Sequence, residues 1–195
     1  LAQPISNFML SVLFEWGVAL HDLEAENLKS GKKQLTLQEL KPILSKMFSQ
    51  AAKDYVYFPM TAGKNALPVL FGNITANLMR NVWAHAIIFC GHFTEKAETF
   101  TEAETVNETR GAWYLRQLRG SSNLKGDWWF HILTGNLSHQ IEHHLFPDIP
   151  AWRYQEMAPK VREICAKYGQ HYNTGSFTKQ YGEVLKRIFR YSLPD

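Results

Sequence analysis

One run of ten residues, Ser-His-Gln-Ile-Glu-His-His-Leu-Phe-Pro at 138–147, constrains this chain more than any other feature. It contains three of the chain's eight histidines. On a helix, residues three and four apart share a face, so Gln140, His143 and His144 are expected to point the same way. His139 and His143 form a second pair at this spacing. The closing proline is expected to end the helix. Because imidazole is the commonest metal ligand among side chains, the run predicts a short helix that carries a metal site.

Two kinds of metal chemistry fit these letters. The first uses the pattern H-x-x-E-H, which an inverted type of zinc protease carries. In that interpretation His139 and His143 bind zinc, and Glu142 is the general base. A catalytic zinc needs a third protein ligand, which His92 or His171 would have to supply. The chain would then be a zinc hydrolase.

The second interpretation rests on a longer match. The eight letters Gln-Ile-Glu-His-His-Leu-Phe-Pro at 140–147 closely resemble the third histidine box of the membrane fatty-acid desaturases, in their acyl-lipid and front-end branches. Other segments are similar to the same family, and the last two look most like mycobacterial-type acyl-CoA desaturases: 114–118, 121–123, 150–154, 158–161, 165–169, 172–177 and 192–195. The resemblance covers essentially the whole chain, and it corresponds to the C-terminal part of such an enzyme.

The resemblance implies a site with two iron ions that activate O2. Breaking the C–H bonds of an unactivated alkyl chain lies beyond the acid–base chemistry of side chains, whereas O2 activated at iron achieves it, and imidazole suits iron. By resemblance, His143 and His144 bind iron directly. Gln140 holds the first position of the box, where other branches have histidine, and it is a weaker candidate ligand. His139, one residue earlier, is another.

A third ligand is expected on the long apolar stretch 66–93. By resemblance, His92 matches the isolated histidine that the family places between its second and third boxes. Asn81-x-x-x-His85 also looks like the asparagine and histidine on the corresponding helix of animal acyl-CoA desaturases, so His85 competes for the same role. We favour His92. His131 is expected to pack beside the site and His21 to lie at an interface.

The family also has two earlier boxes, H-x(3–4)-H and H-x(2–3)-H-H, and neither occurs before residue 138. The remaining iron ligands are therefore expected upstream of Leu1, and the 195 residues are expected to be a fragment that is inactive alone. The resemblance implies a long-chain acyl-CoA or acyl-lipid substrate, O2, and an external electron donor of the reductase or ferredoxin type. The heme-binding histidine motif of a cytochrome b5 domain is not found among these residues, so the electrons are expected from that separate donor. Two further alternatives stay open: a di-iron lipid hydroxylase, which shares the same boxes, and a non-catalytic membrane-associated module, which predicts no metal.

Composition narrows the choice of partners only slightly. The formal net charge of +3 gives no indication of a nucleic-acid partner and weakly favours an anionic membrane surface. The two cysteines, Cys90 and Cys165, lack metal-ligand spacing and are expected to be free thiols. Aromatic residues make up 13% of the chain, which suits a protein at a membrane interface.

The pattern along the chain predicts an all-α fold, with multi-pass membrane helices and a cytosolic helical cap that carries the histidine box. The candidate membrane spans are 1–21 and 66–93, and 94–195 would form the cytosolic di-iron region of one desaturase domain. The expected location is a bacterial cell membrane, with the box on the cytoplasmic side. Amphipathic helices are predicted over 36–54, 152–168 and 178–191, with Thr36 and Glu39 as a capping box.

Overall fold

The computed structural model describes residues 2–21 and 36–193, and nearly all regular structure in them is helical. The α-helices are α1 (Ala2–Val12), α2 (Phe14–His21), α3 (Leu37–Ala52), α4 (Phe58–Thr61), α5 (Ala66–His92), α6 (Glu102–Thr105), α7 (Arg110–Arg119), α8 (Trp128–Leu133), α9 (Gln140–Leu145), α10 (Tyr154–Lys167) and α11 (Phe177–Arg190). Short π and 3-10 turns occupy Lys53–Tyr57, Gly63–Asn65 and Ala151–Arg153. The all-α class predicted from the sequence is confirmed.

The local signals in the sequence place most helix ends correctly. At the start of α3, the Glu39 carboxylate accepts hydrogen bonds from the backbone N–H and the hydroxyl of Thr36, as the capping box predicts. Helix α10 is followed by Gly169 with a φ of +63°, a conformation that glycine adopts without a Cβ penalty. The predicted helix over 36–54 differs at its end, where a π turn begins at Lys53.

Two short strands, β1 (Asn123–Lys125) and β2 (Thr174–Ser176), form a parallel pair in which Asn123 lies opposite Thr174. The sequence analysis found no strand. Three residues are too few to show a period-2 alternation of apolar and polar side chains, so the pattern carried no signal. The pair matters for the site because it fixes Asn123 beside the histidine box.

The chain divides into two compact units, one spanning residues 6–85 and the other combining 1–5 with 86–195. In the first unit, polar contacts join helices that are distant in sequence. The Asn81 side chain donates to the carbonyl of Val12, at 3.0 Å. The Glu15 carboxylate accepts from Gln50 at 3.0 Å and also pairs with Arg80. Glu15, a costly charge within an apolar run, is therefore neutralised by a cation.

Within the described residues, no helix combines the length and the apolar character that crossing a bilayer requires. Helix α5, at 27 residues, is the longest. One of its faces exposes apolar side chains at helical spacing: Leu67, Phe71, Ile74 and Leu78. The His21 side chain, expected at an interface, lies outside the described residues.

The core of the second unit forms around the histidine box. Ile141, in the first turn of α9, is fully buried and packs with Leu118 of α7 and with Val161 and Cys165 of α10. Leu145, Phe146 and Tyr172 cover this cluster. Helix α9 is thus held by apolar packing on one side, and this leaves its histidines on another.

Candidate metal centre

The histidine box forms a short helix, as its spacing predicts. Helix α9 has six residues, and its last regular residue is Leu145, two before the proline. A helix this short is marginal by itself, so tertiary contacts must determine its orientation. Buried Gln140, Ile141 and Glu142 supply those contacts, while His143 and His144 are half-buried.

A compact cluster joins the end of helix α5 to helix α9. The Nε2 atoms of His92 and His144 are 3.3 Å apart. The side-chain amide of Gln140 lies against both rings, with its Nε2 3.0 Å from His92 Nε2 and 3.2 Å from His144 Nε2. Gln140 and His144 are four residues apart, so the shared helix face predicted from the sequence brings them together.

The other nitrogen of each ring is held by a neighbouring group. His144 Nδ1 lies 3.1 Å from Gln117 Oε1, and in this orientation of the amide a ring proton on Nδ1 would be donated to that oxygen. The His92 ring hydrogen-bonds the backbone of Gly120. In the tautomer that Gln117 favours, His144 Nε2 presents a lone pair to the cluster. Metal-ligating histidines in proteins generally have this arrangement, in which the second nitrogen donates to an oxygen.

Gln140 reaches the two histidines because Gly91 leaves room for it. A Cβ at Gly91 would lie 2.8 Å from Gln140 Cγ, so any other residue there would displace the Gln140 side chain. Gln140 Oε1 is buried and has no hydrogen-bond partner among the described residues. Amide oxygen and nitrogen are exchangeable by a flip, so either atom can face the histidine pair.

These residues fit part of the coordination sphere of a metal ion. Two nitrogens bound to one tetrahedral ion at about 2.1 Å are roughly 3.4 Å apart, close to the separation of the two Nε2 atoms. Across the described parts of the chain, no group of three histidine, cysteine, aspartate or glutamate side chains is arranged to hold a metal. The chain therefore brings together two imidazoles and one amide.

Burial keeps His144 in its neutral form. Desolvation, together with the nearby His92 and His143 rings, lowers the pKa of His144 from 6.5 to about 4. Neutral imidazole is the form that binds metals, and His144 is in that form at physiological pH.

His143 is adjacent but has a different partner. Its Nδ1 lies 3.3 Å from the hydroxyl of Tyr154, the first residue of α10. The rings of His143 and His144 are 5.4 Å apart between centroids. His143 thus lies at the edge of the cluster with an oriented ring, and its role as a ligand stays a prediction.

His139 belongs to a separate buried group. Its ring stacks on that of His131, with centroids 4.5 Å apart, and the His131 Nδ1 contacts the Ser138 hydroxyl at 2.7 Å. Burial and the His131 ring lower the pKa of His139 to about 4. His139 precedes the first turn of α9 with non-helical backbone angles, so it does not continue the helical face of His143. His131 packs beside the box, as predicted.

Glu142 points away from the histidine pair. In a helix, residue 142 lies about 200° from residue 140 around the axis, and the carboxylate is fully buried on that opposite side. It accepts hydrogen bonds from Asn123 at 2.7 Å and Tyr172 at 2.8 Å. Desolvation raises its pKa. The zinc-hydrolase hypothesis needs Glu142 as a general base beside His139 and His143. Its Oε2 lies 3.9 Å from His139 Nδ1, but the carboxylate is fully buried and hydrogen bonds occupy both of its oxygens, which weighs against that hypothesis.

His85, the competitor of His92, lies in other surroundings. Its Nε2 is 3.2 Å from Asn7 Oδ1, and its ring packs edge-on against Phe14 at 5.5 Å. These contacts lie within the first unit of the chain. His171, considered as a third zinc ligand, is exposed.

The sequence analysis missed four groups that shape the site: Gln117, Gly120, Gly91 and Tyr154. Gln117, Gly120 and Tyr154 contact a histidine from another element, whereas Gly91 makes room for Gln140, and their sequence separation from the box carries no periodic signal. Only the similarity of the segments 114–118 and 150–154 to the desaturases drew attention to the neighbourhoods of Gln117 and Tyr154.

Comparison with known proteins agrees with the box. The family model for fatty acid desaturases matches residues 7–176. This chain belongs to the fatty acid desaturase family. No solved structure matches it.

Several curated desaturases are similar to this family member. It is 43% identical over 97% of its length to the NADPH-dependent stearoyl-CoA 9-desaturase of Mycobacterium tuberculosis, and the match covers 46% of that protein. The acyl-lipid (9-3)-desaturase of Borago officinalis is 35% identical over 46% of this chain and 20% of its own length. Human fatty acid desaturase 3 is 32% identical over 44% of this chain and 19% of its own length. The chain thus spans less than half the length of these relatives.

Proposed function

We propose that this chain is part of an enzyme that introduces a double bond into a long fatty acyl chain with O2. The observation that carries the proposal is the His92–His144 pair, whose Nε2 atoms face each other across the Gln140 amide in a member of the desaturase family. Two imidazoles whose Nε2 atoms lie 3.3 Å apart, with His144 held at Nδ1 by Gln117, would form a metal half-site.

The proposed metal is iron, in a two-iron site that further ligands complete. His92 and His144 would hold it, with His143 at the edge and Gln140 as a ligand through its amide oxygen or as a hydrogen-bond donor. Iron bound there would supply the O2-dependent oxidation that removes two hydrogens from an unactivated alkyl chain. Gln117 and Gly120 would hold the two rings by their hydrogen bonds, and burial keeps His144 neutral.

The proposed substrate is a long-chain acyl-CoA, and the electrons come from an external reductase or ferredoxin-type donor. The name of the mycobacterial relative, which specifies stearoyl-CoA and NADPH, supports both. An acyl-lipid substrate is the alternative that the Borago relative favours. An apolar cavity of about 480 Å³ supports an alkyl ligand. Leu118, which lines it, follows Gln117 in the sequence, and Leu145 and Phe146, which also line it, follow His144, so the cavity lies next to the proposed metal site.

The proposed location is a membrane, with the box on its cytoplasmic side. Support comes from the exposed apolar face of helix α5, where Leu67 and Phe71 are each about two-thirds exposed. Replacing both by serine is expected to reduce co-flotation of the chain with phospholipid vesicles. The control is Val106→Ser, an equally exposed apolar residue in a loop. Equal flotation of the two variants would contradict a membrane role for this face.

The activity is best tested in a chimera, because the chain matches only one part of its relatives. This chain replaces the matching segment of the M. tuberculosis relative, and the chimera receives stearoyl-CoA, NADPH and O2 with the relative's electron donors. An unsaturated product is expected by mass spectrometry, and His144→Ala in the chimera is expected to remove it. A hydroxylated product would favour the lipid-hydroxylase alternative. A folded, iron-loaded chimera with no oxidised product would overturn the proposal.

A further inference from the structure

A buried polar group lies on the side of helix α9 that faces away from the histidine pair. It consists of Asn123, Glu142 and Tyr172, and is called here the Glu142 anchor. Glu142 has no exposed surface and Asn123 is 3% exposed. A buried carboxylate is costly unless hydrogen bonds satisfy it, so its retention at this point indicates a specific role.

The anchor satisfies both oxygens of the carboxylate. Asn123 Nδ2 donates to Glu142 Oε2 at 2.7 Å, and the Tyr172 hydroxyl donates to Oε1 at 2.8 Å. Asn123 Nδ2 also lies 2.6 Å from the Tyr172 oxygen, which closes the triangle. The Arg162 guanidinium lies over the Tyr172 ring at 5.2 Å and places a positive charge near the carboxylate.

Asn123 also caps the helix. Its Oδ1 accepts the backbone N–H of Ile141 at 2.8 Å, one of the N-terminal amides that have no partner within a helix. The residue at the N-cap position, His139, makes no such side-chain bond. One asparagine therefore binds both the backbone and a side chain of α9, which fixes the position of the helix along its axis and its rotation about it.

The anchor is itself held by rigid structure. Asn123 belongs to β1, and its N–H donates to the carbonyl of Asn173 beside β2. The buried Gln180 of α11 donates to the Asn123 carbonyl at 3.1 Å. The small parallel strand pair thus fixes the position of Asn123, through which the anchor holds α9.

We propose that Glu142 is a positioning residue, which acts with Asn123 and Tyr172 to hold helix α9 so that His144 meets His92. This assignment rests on the proposed metal site and gives the box glutamate a role other than general base. A six-residue helix cannot fix its own orientation, and a rotation of α9 would separate the two Nε2 atoms. Fixed ligand geometry is what an active-site metal requires from its supporting residues.

The test compares Tyr172→Phe and Glu142→Gln with Thr134→Val. Each replacement conserves shape and removes a buried hydroxyl or charge. The Thr134 hydroxyl bonds the His131 carbonyl and the Ser138 hydroxyl and does not contact the anchor. Two readouts are measured on the purified metal-free and cobalt-loaded chain: amide hydrogen exchange at Ile141 and along α9, and the affinity for Co²⁺ with its visible absorption spectrum.

For both anchor variants, we expect exchange along α9 to become about tenfold faster and Co²⁺ affinity to fall about tenfold or more, with an altered spectrum. For Thr134→Val, both are expected to change less than about twofold. Unchanged exchange along α9 in the anchor variants, or equal changes in the control, would overturn the assignment. If the unmodified chain binds no Co²⁺, the proposed metal site fails, and the exchange data alone then decide whether the anchor holds α9.

Discussion

Helix α5 carries two histidines seven residues apart, and their surroundings differ in kind. His92 faces another imidazole and an amide, its Nε2 within 3.3 Å of both. His85 contacts Asn7 and packs against the Phe14 ring. The His92 cluster gathers nitrogen lone pairs that a cation would satisfy, whereas His85 is embedded among structural neighbours. Two histidines on one helix stripe can thus have different roles, and the side chains that reach them from elsewhere make the difference.

The largest effect that tests this contrast is loss of a cluster imidazole. His92→Ala or His144→Ala is expected to lower Co²⁺ affinity at least about 100-fold, because losing a ligand exceeds the 10–100-fold effect typical of outer groups. The measurement is a Co²⁺ titration followed by visible absorption. Affinity within threefold of the unmodified chain would show that the pair does not hold the metal.

A smaller effect is expected from the residue that orients His144. Gln117→Leu removes the hydrogen-bond partner of His144 Nδ1, so the ring loses the contact that orients it. Co²⁺ affinity is expected to fall about tenfold. Gln170→Leu is the matched control, since Gln170 bonds Arg119 and touches no histidine of the cluster. Similar losses of Co²⁺ affinity in both variants would mean that the substitutions disturb residues 86–195 in general, which would contradict a specific role for Gln117.

Much of this account was accessible from the sequence, and the limits have physical causes. The spacing of Gln140 and His144 predicts their contact, because residues four apart meet on any helix. His85 and His92, seven residues apart, fall on one face of helix α5 by the same periodicity. That periodicity does not show which of the two lies against another imidazole and an amide. Tertiary packing places Gln117 beside His144, 27 residues away in sequence, and a local sequence pattern cannot predict such a contact.

The H-x-x-E-H pattern illustrates the same limit for carboxylates. The letters place Glu142 beside His143, yet adjacent helix residues point about 100° apart. Asn123 and Tyr172, which decide where the carboxylate goes, lie 19 and 30 residues away in sequence. Asn123 lies in β1 and Tyr172 shortly before β2, and strands of three residues are too short to be predicted from an alternating pattern.

The pH dependence of stability sharpens the contrast further. The pKa values of His144 and His139 are lowered to about 4 in the folded chain, against about 6.5 when unfolded. Between these values the unfolded state binds protons that the folded state does not, so stability is expected to fall as pH drops from about 6.5 to 4. Urea unfolding of the metal-free chain at several pH values in this range measures the free energy of unfolding. His139→Gln is expected to make that free energy depend less steeply on pH. Because the raised pKa of the buried Glu142 contributes with the opposite sign, the comparison with His139→Gln decides: an unchanged slope in that variant would contradict burial of the neutral His139 ring.

The smallest effect on metal is expected from His85. His85→Ala is expected to change Co²⁺ affinity less than about twofold, while destabilising the chain by about 1–3 kcal/mol through lost contacts with Asn7 and Phe14. Thermal unfolding measures the loss of stability, and the cobalt titration measures the effect on the metal site. A tenfold loss of affinity would transfer the ligand role from His92 to His85.

The central claim is that His92 and His144 bind one metal ion through Nε2. The most direct measurement is nitrogen NMR of the chain with ¹⁵N-labelled histidine, titrated with Zn²⁺ as a diamagnetic probe. The account predicts that the Nε2 resonances of His92 and His144 shift together and saturate at one equivalent, with His85 unchanged. Joint shifts of His139 and His143, or of His85 alone, would contradict it.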